Sequence, residues 1–485
     1  MEQHVIIGAG PAGLTAAWQL AKFGRTSLVL EADPTYVGGI ARTVEYEGNR
    51  FDMGGHRFYS KSEEINRMWH EMLPGEFIEV KRLSRIYYDK KFFPYPIELW
   101  PTLSLLGFAS SAKIAASYLK AQLLPRRPER SFEDWIINRF GQRLYATFFK
   151  TYTEKIWGIP CSSIDKDWAA QRIRGLSLLG AVKEALFRPR GEQAIKSLIK
   201  TFVYPRLGPG QLWESVRDQV TAKGTRVLHD KRVERIEHAE GLVTSVQTVD
   251  GEVYRGTHFY STMTLKDLVN ALDPPPPPEV LRAGNALDYR DFLTVALIID
   301  KPEVFADNWI YIHDPGVHVG RIQNYKNWSV EMVADPTKTC LGMEYFCSRG
   351  HELWEMSDDA LLKLAAEDVE AIGLAEASDC IDGCIVRTLN AYPVYDRAYK
   401  GHRETLKGWL NGYFKNLYPA GRGALHNYNS QDHSMMMAIL SIRNMREEGA
   451  YDVWSINTES EYAEEGGTSR ESEDRLVPRP LSPSE

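Results

Sequence analysis

The residues best suited to chemistry stand at the start of the chain, where Gly8-Ala9-Gly10-Pro11-Ala12-Gly13 follows four strand-forming residues, His4-Val5-Ile6-Ile7. Free N–H groups at the beginning of a helix, together with the positive end of its dipole, hold phosphate oxygens. The glycines differ in what they permit. Gly8 makes the tight turn, Gly10 lets the backbone approach a pyrophosphate, and Gly13 lets the helix lie close on the sheet. A second strand, Ser27-Leu28-Val29-Leu30, ends in Glu31 and Ala32. An acid at that distance takes a ribose hydroxyl, and Ala32 joins the same cofactor set. A lone glycine fingerprint also occurs in ordinary turns. Strand, turn, helix, strand and acid in register predict a dinucleotide site.

Two further glycine pairs follow, Gly38-Gly39 and Gly54-Gly55, the second leading into His56. Adjacent glycines let backbone pass close to something bulky, and a bare nicotinamide dinucleotide fold needs neither pair. Near the other end, Gly421-Arg422-Gly423 and the polar run through Asp432, His433 and Ser434 open a helix predicted over 434–448. Its N–H groups would again face an oxygen-rich ligand; the plainer reading is a capped surface helix. Between these ends lie Tyr152, Lys155 and Trp157 in Tyr-Thr-x-Lys-x-Trp-Gly, then Arg172 in Trp-x-x-x-Arg.

Fingerprint, Glu31, Gly-Gly-x-x-Arg and Gly-Gly-His resemble the start of FAD enzymes of the amine oxidase, protoporphyrinogen oxidase and UDP-galactopyranose mutase kind. The resemblance implies an α/β fold: a Rossmann-like FAD-binding domain of the GR2 type, with an inserted helical and antiparallel-sheet substrate domain. It also implies that Gly38, Gly39 and Arg42 lie along the diphosphate and flavin, and that the backbone of Val233 meets the adenine side. By the same resemblance Gly421, Arg422, Asp432, His433 and Ser434 close the cofactor site. His56 is the candidate over the flavin ring, because Gly54 and Gly55 let its loop approach; a structural histidine is the alternative. The Tyr-Thr-x-Lys-x-Trp-Gly segment and the helix after it are similar to those of the mutases, where the helix arginine holds a substrate diphosphate. That implies a substrate set of Tyr152, Lys155, Trp157, Arg172 and Tyr395, with an ordinary ion pair as the alternative for Arg172. The mutases carry a second diphosphate arginine near where this chain reads Ile298-Ile299-Asp300. Arg321 is the candidate replacement.

The elements that must position these residues come from separated stretches. The expected divisions are FAD segments at 1–85, 191–273 and 386–457, a helical insertion at 86–190, a β-rich substrate domain at 274–385 and a disordered acidic tail at 458–485. The run Pro274 to Pro278 reads as a stiff surface connector. Residues 102–124, largely apolar but with Lys113 and Lys120, read as a buried helix, with a peripheral membrane contact as the alternative. At 485 residues more than one core is expected. A net charge of −7 excludes a general nucleic-acid binder and leaves room for a local basic pocket holding an anionic small molecule. The five cysteines form no metal-ligand or disulfide pattern. With the first strand at His4, the expectation is a reducing, cytoplasmic setting and no metal. Two chemistries fit: redox-neutral pyranose/furanose isomerisation of a nucleotide sugar or related glycan precursor, and oxidation of the amine oxidase type. A non-catalytic FAD-binding scaffold fits less well, because so many flavin-side residues are kept.

Overall fold

The computed structural model describes residues 3–95, 99–168, 201–447 and 450–456. Arg172 and the expected tail lie outside them. The strand His4–Ile7 is buried along its whole length because it sits mid-sheet. Its parallel sheet runs Leu417–Pro419, His258–Ser261, His4–Ile7, Ser27–Leu30, Arg226–Leu228. His4–Ile7 and Ser27–Leu30, buried at every position, suit such a sheet, covered on both faces. Helix Pro11–Lys22 covers one face and packs beside helix Gln431–Met445. A smaller sheet, Val253–Arg255, Leu242–Thr248 and Val233–Ala239, with Leu272–Asp273 at its edge, completes the cofactor unit.

The substrate unit is built on a seven-stranded sheet in the order Cys380–Pro393, Tyr289–Ile299, Thr339–Cys347, Arg321–Asn324, Trp309–Ile312, Ser84–Tyr88, Lys91–Pro94. All pairings are antiparallel except Trp309–Ile312 with Ser84–Tyr88. Strands Tyr289–Ile299 and Thr339–Cys347 are buried at nearly every position because both faces are covered. Leu293, Val295, Leu297, Leu341 and Met343 join the core under helix Asp358–Ile372. Phe292, Ala296, Cys340 and Phe346 face the aromatic core that leads to the site. Glu344 shares that second face, by the alternation of a strand.

Expected and observed boundaries differ in three places. The division at 85/86 splits strand Ser84–Tyr88, and that at 385/386 splits strand Cys380–Pro393, so the substrate sheet draws strands from three stretches. The proline run ends in helix Pro278–Asn285, whose Val280 and Ala283, with Leu287 beyond it, still belong to the cofactor core. The substrate sheet takes over only at Tyr289.

The buried helix expected at 102–124 is corrected more sharply. Two helices form, Leu99–Leu106 and Phe108–Leu123, broken at Gly107 with φ 81°. In the second only Ile114, Tyr118 and Ala121 are buried. Its apolar composition exceeds what one packed face can use. The next helix, Phe132–Leu144, starts at a capping box in which Ser131 and Asp134 are bonded reciprocally.

Candidate active site

The glycine loop gathers the cofactor candidates. Gly8 has φ 96°, and a Cβ on Gly13 would lie 1.9 Å from the Gly8 carbonyl oxygen. Gly10 has an ordinary φ of −75° and caps its helix without any side-chain bond. It faces Gly39, whose Cβ would sit 3.3 Å from the Gly10 Cα. Gly38 N–H donates to the Ala9 carbonyl at 2.8 Å, fixing the second loop against the first. Gly421, at φ 108°, abuts Ala12.

The Glu31 carboxylate accepts N–H bonds from Ala9 (2.5 Å) and Asp33 (2.8 Å). Burial raises its pKa, and those two bonds pull it back down. Lys231 N–H donates to the Glu31 carbonyl at 2.8 Å, which brings the start of the Val233 strand alongside, while Ala32 is half-buried next to Glu31. Gln431, Asp432, His433 and Ser434 are buried at the head of their helix, so the surface-helix alternative is excluded. Gln431 accepts from Trp213 Nε1 at 2.9 Å, and that indole also lines Gly38.

The second cluster surrounds His56. Its Nε2 is 3.0 Å from the Met53 carbonyl, which makes Nε2 the protonated nitrogen of a neutral ring. Burial, then the guanidiniums of Arg422 and Arg321, push its pKa down to about 4, against the bonds to Met53 and Ile40. A Cβ on Gly54 would lie 3.3 Å from Arg321 Nη2, and one on Gly55 3.1 Å from Gln323 Nε2. Only glycine lets this loop settle on the polar floor. Arg321 donates to Glu344 through Nε (2.9 Å) and Nη2 (2.5 Å), and Gln323 donates to the same carboxylate at 3.0 Å. Arg422 donates to the carbonyls of Asn429 and Ala391 and lies over the rings of Tyr428 and Tyr392.

The expected substrate residues divide into two groups. Tyr152 faces the site: it stacks on His313 at 4.4 Å, and Arg321, Tyr311, Glu344 and Tyr392 act on its hydroxyl, which burial keeps protonated. Trp157 is buried among Trp168, Tyr392, Tyr395 and Tyr428 and forms the aromatic wall. Lys155 is a correction. Its ammonium donates to the carbonyls of Ile312, Asp314, Val317 and Val319 at 3.0–3.4 Å, closing the loop between two strands of the substrate sheet rather than reaching a substrate. Tyr395 is another: its hydroxyl donates to Asn427 (3.1 Å) and accepts from Tyr428 N–H (2.6 Å). Arg321 has its charge met by Glu344 and is no free second anchor.

Sequence reasoning missed Glu344, Gln323, Tyr392, Tyr428 and Asp52. An acid inside the apolar run Gly342 to Phe346 was the available signal for Glu344, since a buried carboxylate requires a partner. Asp52 is fully buried and accepts from Thr43 Oγ1 (2.8 Å) and Tyr204 (2.5 Å). Its carbonyl accepts from Tyr325 at 2.6 Å, and Thr43 Oγ1 also accepts from Gly210 N–H. This network ties the Arg42 loop to the His56 loop. Burial pushes Asp52 up to about 7 from 3.8, against the two hydroxyl bonds. The folded state therefore holds the extra proton: its stabilising contribution is complete below the unfolded pKa and is lost as pH rises through about 7. Asp52→Asn is expected to flatten that decline. Urea midpoints at about pH 5 and about pH 8 measure it, and an equal fall in both proteins would place the titrating group elsewhere.

A model of the family described as flavin containing amine oxidoreductase matches residues 11–437. The chain belongs to this family. Its cofactor is FAD, as the motifs indicated. It is 24% identical over 272 residues to a 1-hydroxycarotenoid 3,4-desaturase of Flavobacterium sp. (strain P99-3), covering 52% of this chain and 54% of that protein. The chain thus spans about half the length of the curated relatives it matches. Among solved structures, a reduced UDP-galactopyranose mutase superposes with a TM-score of 0.80 at 18% identity, covering 96% of each chain. A putrescine oxidase bound to putrescine gives 0.62 at 15% identity, covering 92% of this chain and 99% of that one. These likenesses establish the shared fold.

The chain's own residues fit the FAD of this flavoenzyme family. The uncapped helix start and the Gly10–Gly39 gap suit a pyrophosphate. Arg42 Nε is buried without a hydrogen bond, its nearest carboxylate, Asp33, at 4.0 Å. A buried donor left unmade is costly, and a flavin or phosphate oxygen would complete it. Among the described residues no group of three His, Cys, Asp or Glu is arranged to hold a metal, and no helix is long and apolar enough to cross a membrane.

Proposed function

We propose that this chain is an FAD-dependent enzyme acting on an anionic nucleotide sugar or related glycan precursor, interconverting pyranose and furanose forms. FAD, when bound, supplies electron-pair chemistry in its reduced state and hydride acceptance in its oxidised state. The observation that carries the reading is the charge around His56. Among the described residues the Arg422 guanidinium bonds to carbonyls and to no carboxylate, so its positive charge stands at the site. A cationic amine is disfavoured there and an anion favoured. His56 stays neutral with its Nε2–H held by the Met53 carbonyl, and the protonated Tyr152 hydroxyl offers a hydrogen bond that orients a sugar without titrating near neutral pH. Arg172 would contribute the diphosphate contact. Five free thiols support a cytoplasmic setting.

A second reading is favoured by the Arg321–Glu344 pair. With Arg321 paired to Glu344 and Asp300 where the mutases carry arginine, a second free arginine for a diphosphate is wanting at those two positions, and the Trp157, Tyr392 and Tyr428 wall suits an apolar substrate. That favours oxidation of the amine oxidase or protoporphyrinogen oxidase type; the similar carotenoid desaturase is an example of a relative named for an apolar substrate.

One experiment separates the two. The purified yellow protein is mixed with nucleoside diphosphate hexoses, aerobically and after dithionite reduction, while flavin absorbance and sugar products are followed together. Pyranose-to-furanose conversion only with reduced flavin, and without consumption of reductant, is the expected result. Bleaching of oxidised flavin by a substrate, with recovery in oxygen and no isomerised sugar, would establish the oxidase reading instead.

A further inference from the structure

We infer that helix Phe108–Leu123 is a docking surface for an anionic lipid bilayer. Phe108 is 91% exposed, Leu119 61%, Leu123 80% and the adjoining Leu124 72%. At 3.6 residues per turn Phe108, Ala112, Ala115, Leu119 and Leu123 fall on one side of the helix, and the buried Ile114, Tyr118 and Ala121 on the opposite side. The buried side packs mainly on helix Phe132–Leu144. There Gly141 admits the Tyr118 backbone, which a Cβ would meet at 2.8 Å. The outward stripe is therefore not a packing face turned to a neighbour within the described residues.

Charge decides what covers it. Residues 99–128 carry Lys113, Lys120, Arg126 and Arg127 and not one Asp or Glu, in a chain whose net charge is −7. Arg126 is paired with Glu133 at 2.6 Å. Lys113 and Lys120 are exposed and lie together along one border of the apolar stripe. Lysines so placed lay their methylenes on acyl chains and hold their ammonium groups at the level of lipid phosphates. A second copy of the chain would bring the same cations face to face; an anionic bilayer brings the opposite charge. The helix has 16 residues, too short to cross, so it lies in the plane of the interface. Its packed partner continues through Tyr145–Lys150 into helix Thr151–Trp157, so the docked surface lies close in sequence to the wall formed by Tyr152 and Trp157.

The test is co-sedimentation of the full, FAD-loaded protein with vesicles of phosphatidylcholine alone and of phosphatidylcholine mixed with phosphatidylglycerol. Binding to the mixture, weakened by salt, is expected. Leu119→Ser/Leu123→Ser should lower partitioning at least about tenfold by removing apolar burial. Lys113→Glu/Lys120→Glu should lower it at least about thirtyfold through lost attraction and added repulsion. Both pairs are exposed, so flavin content and thermal midpoint should stay at wild-type values. Absence of wild-type binding to the mixture at low salt, or equal binding by the variants, would overturn the proposal. So would a wild-type dimer that Leu119→Ser/Leu123→Ser dissolves in a protein that ignores vesicles.

Discussion

Gly10→Val is expected to purify as a folded, colourless apoprotein. The reason is spatial rather than conformational: Gly10 has φ −75°, which valine adopts readily. What valine cannot do is leave the gap open. Gly10 and Gly39 face each other with Cα-to-Cβ separations of 3.8 and 3.3 Å for a Cβ on either residue, so a branched side chain fills the space a pyrophosphate needs. An N–H bond to a charged phosphate oxygen is worth about 1.5–3 kcal/mol, so the loss of as few as two would weaken FAD at least about 100-fold. The ratio of flavin to protein absorbance after gel filtration reads the loss, and far-UV circular dichroism checks the fold. Gly401→Ala, in an exposed helical position with nothing within 4 Å, is the control that should stay yellow. Wild-type flavin content in Gly10→Val would refute the assignment of this loop to the diphosphate.

That loop was legible because its residue types are dictated locally. Gly8 is held at φ 96° and Gly13 meets the carbonyl of Gly8, so the requirement for glycine at each is written within a few positions. Lys155 shows where such reading stops. It sits in the segment that most resembles a substrate-binding element, yet its four carbonyl partners come from residues 312–319, brought beside it only by the tertiary fold. Tyr395 fails for the same reason, its partners being Asn427 and Tyr428. The domain divisions slipped because alternation reveals a strand but not the sheet it joins: Ser84–Tyr88 finds its parallel partner in Trp309–Ile312. Composition likewise marked helix Phe108–Leu123 as apolar without showing that its neighbour could cover only one side.

Glu344→Ala is expected to be the most destabilising single change at the site. Glu344 is fully buried, and its carboxylate meets Arg321 through two bonds and Gln323 through a third. Removing it leaves a buried guanidinium unpaired, which costs about 3–5 kcal/mol, a large part of the roughly 5–15 kcal/mol that holds a protein folded. The loss reaches the site directly, because Arg321 lies under Gly54 and its charge already acts on His56. Urea unfolding of the holoprotein should show the midpoint falling with the slope unchanged. Replacing both partners, Arg321→Met with Glu344→Leu, removes the uncompensated charge and should recover most of the stability. The pair of measurements separates packing from charge: a double variant as unstable as Glu344→Ala would mean that shape, not the ion pair, is what the floor requires. A Glu344→Ala protein within about 1 kcal/mol of wild type would mean that water reaches the pair.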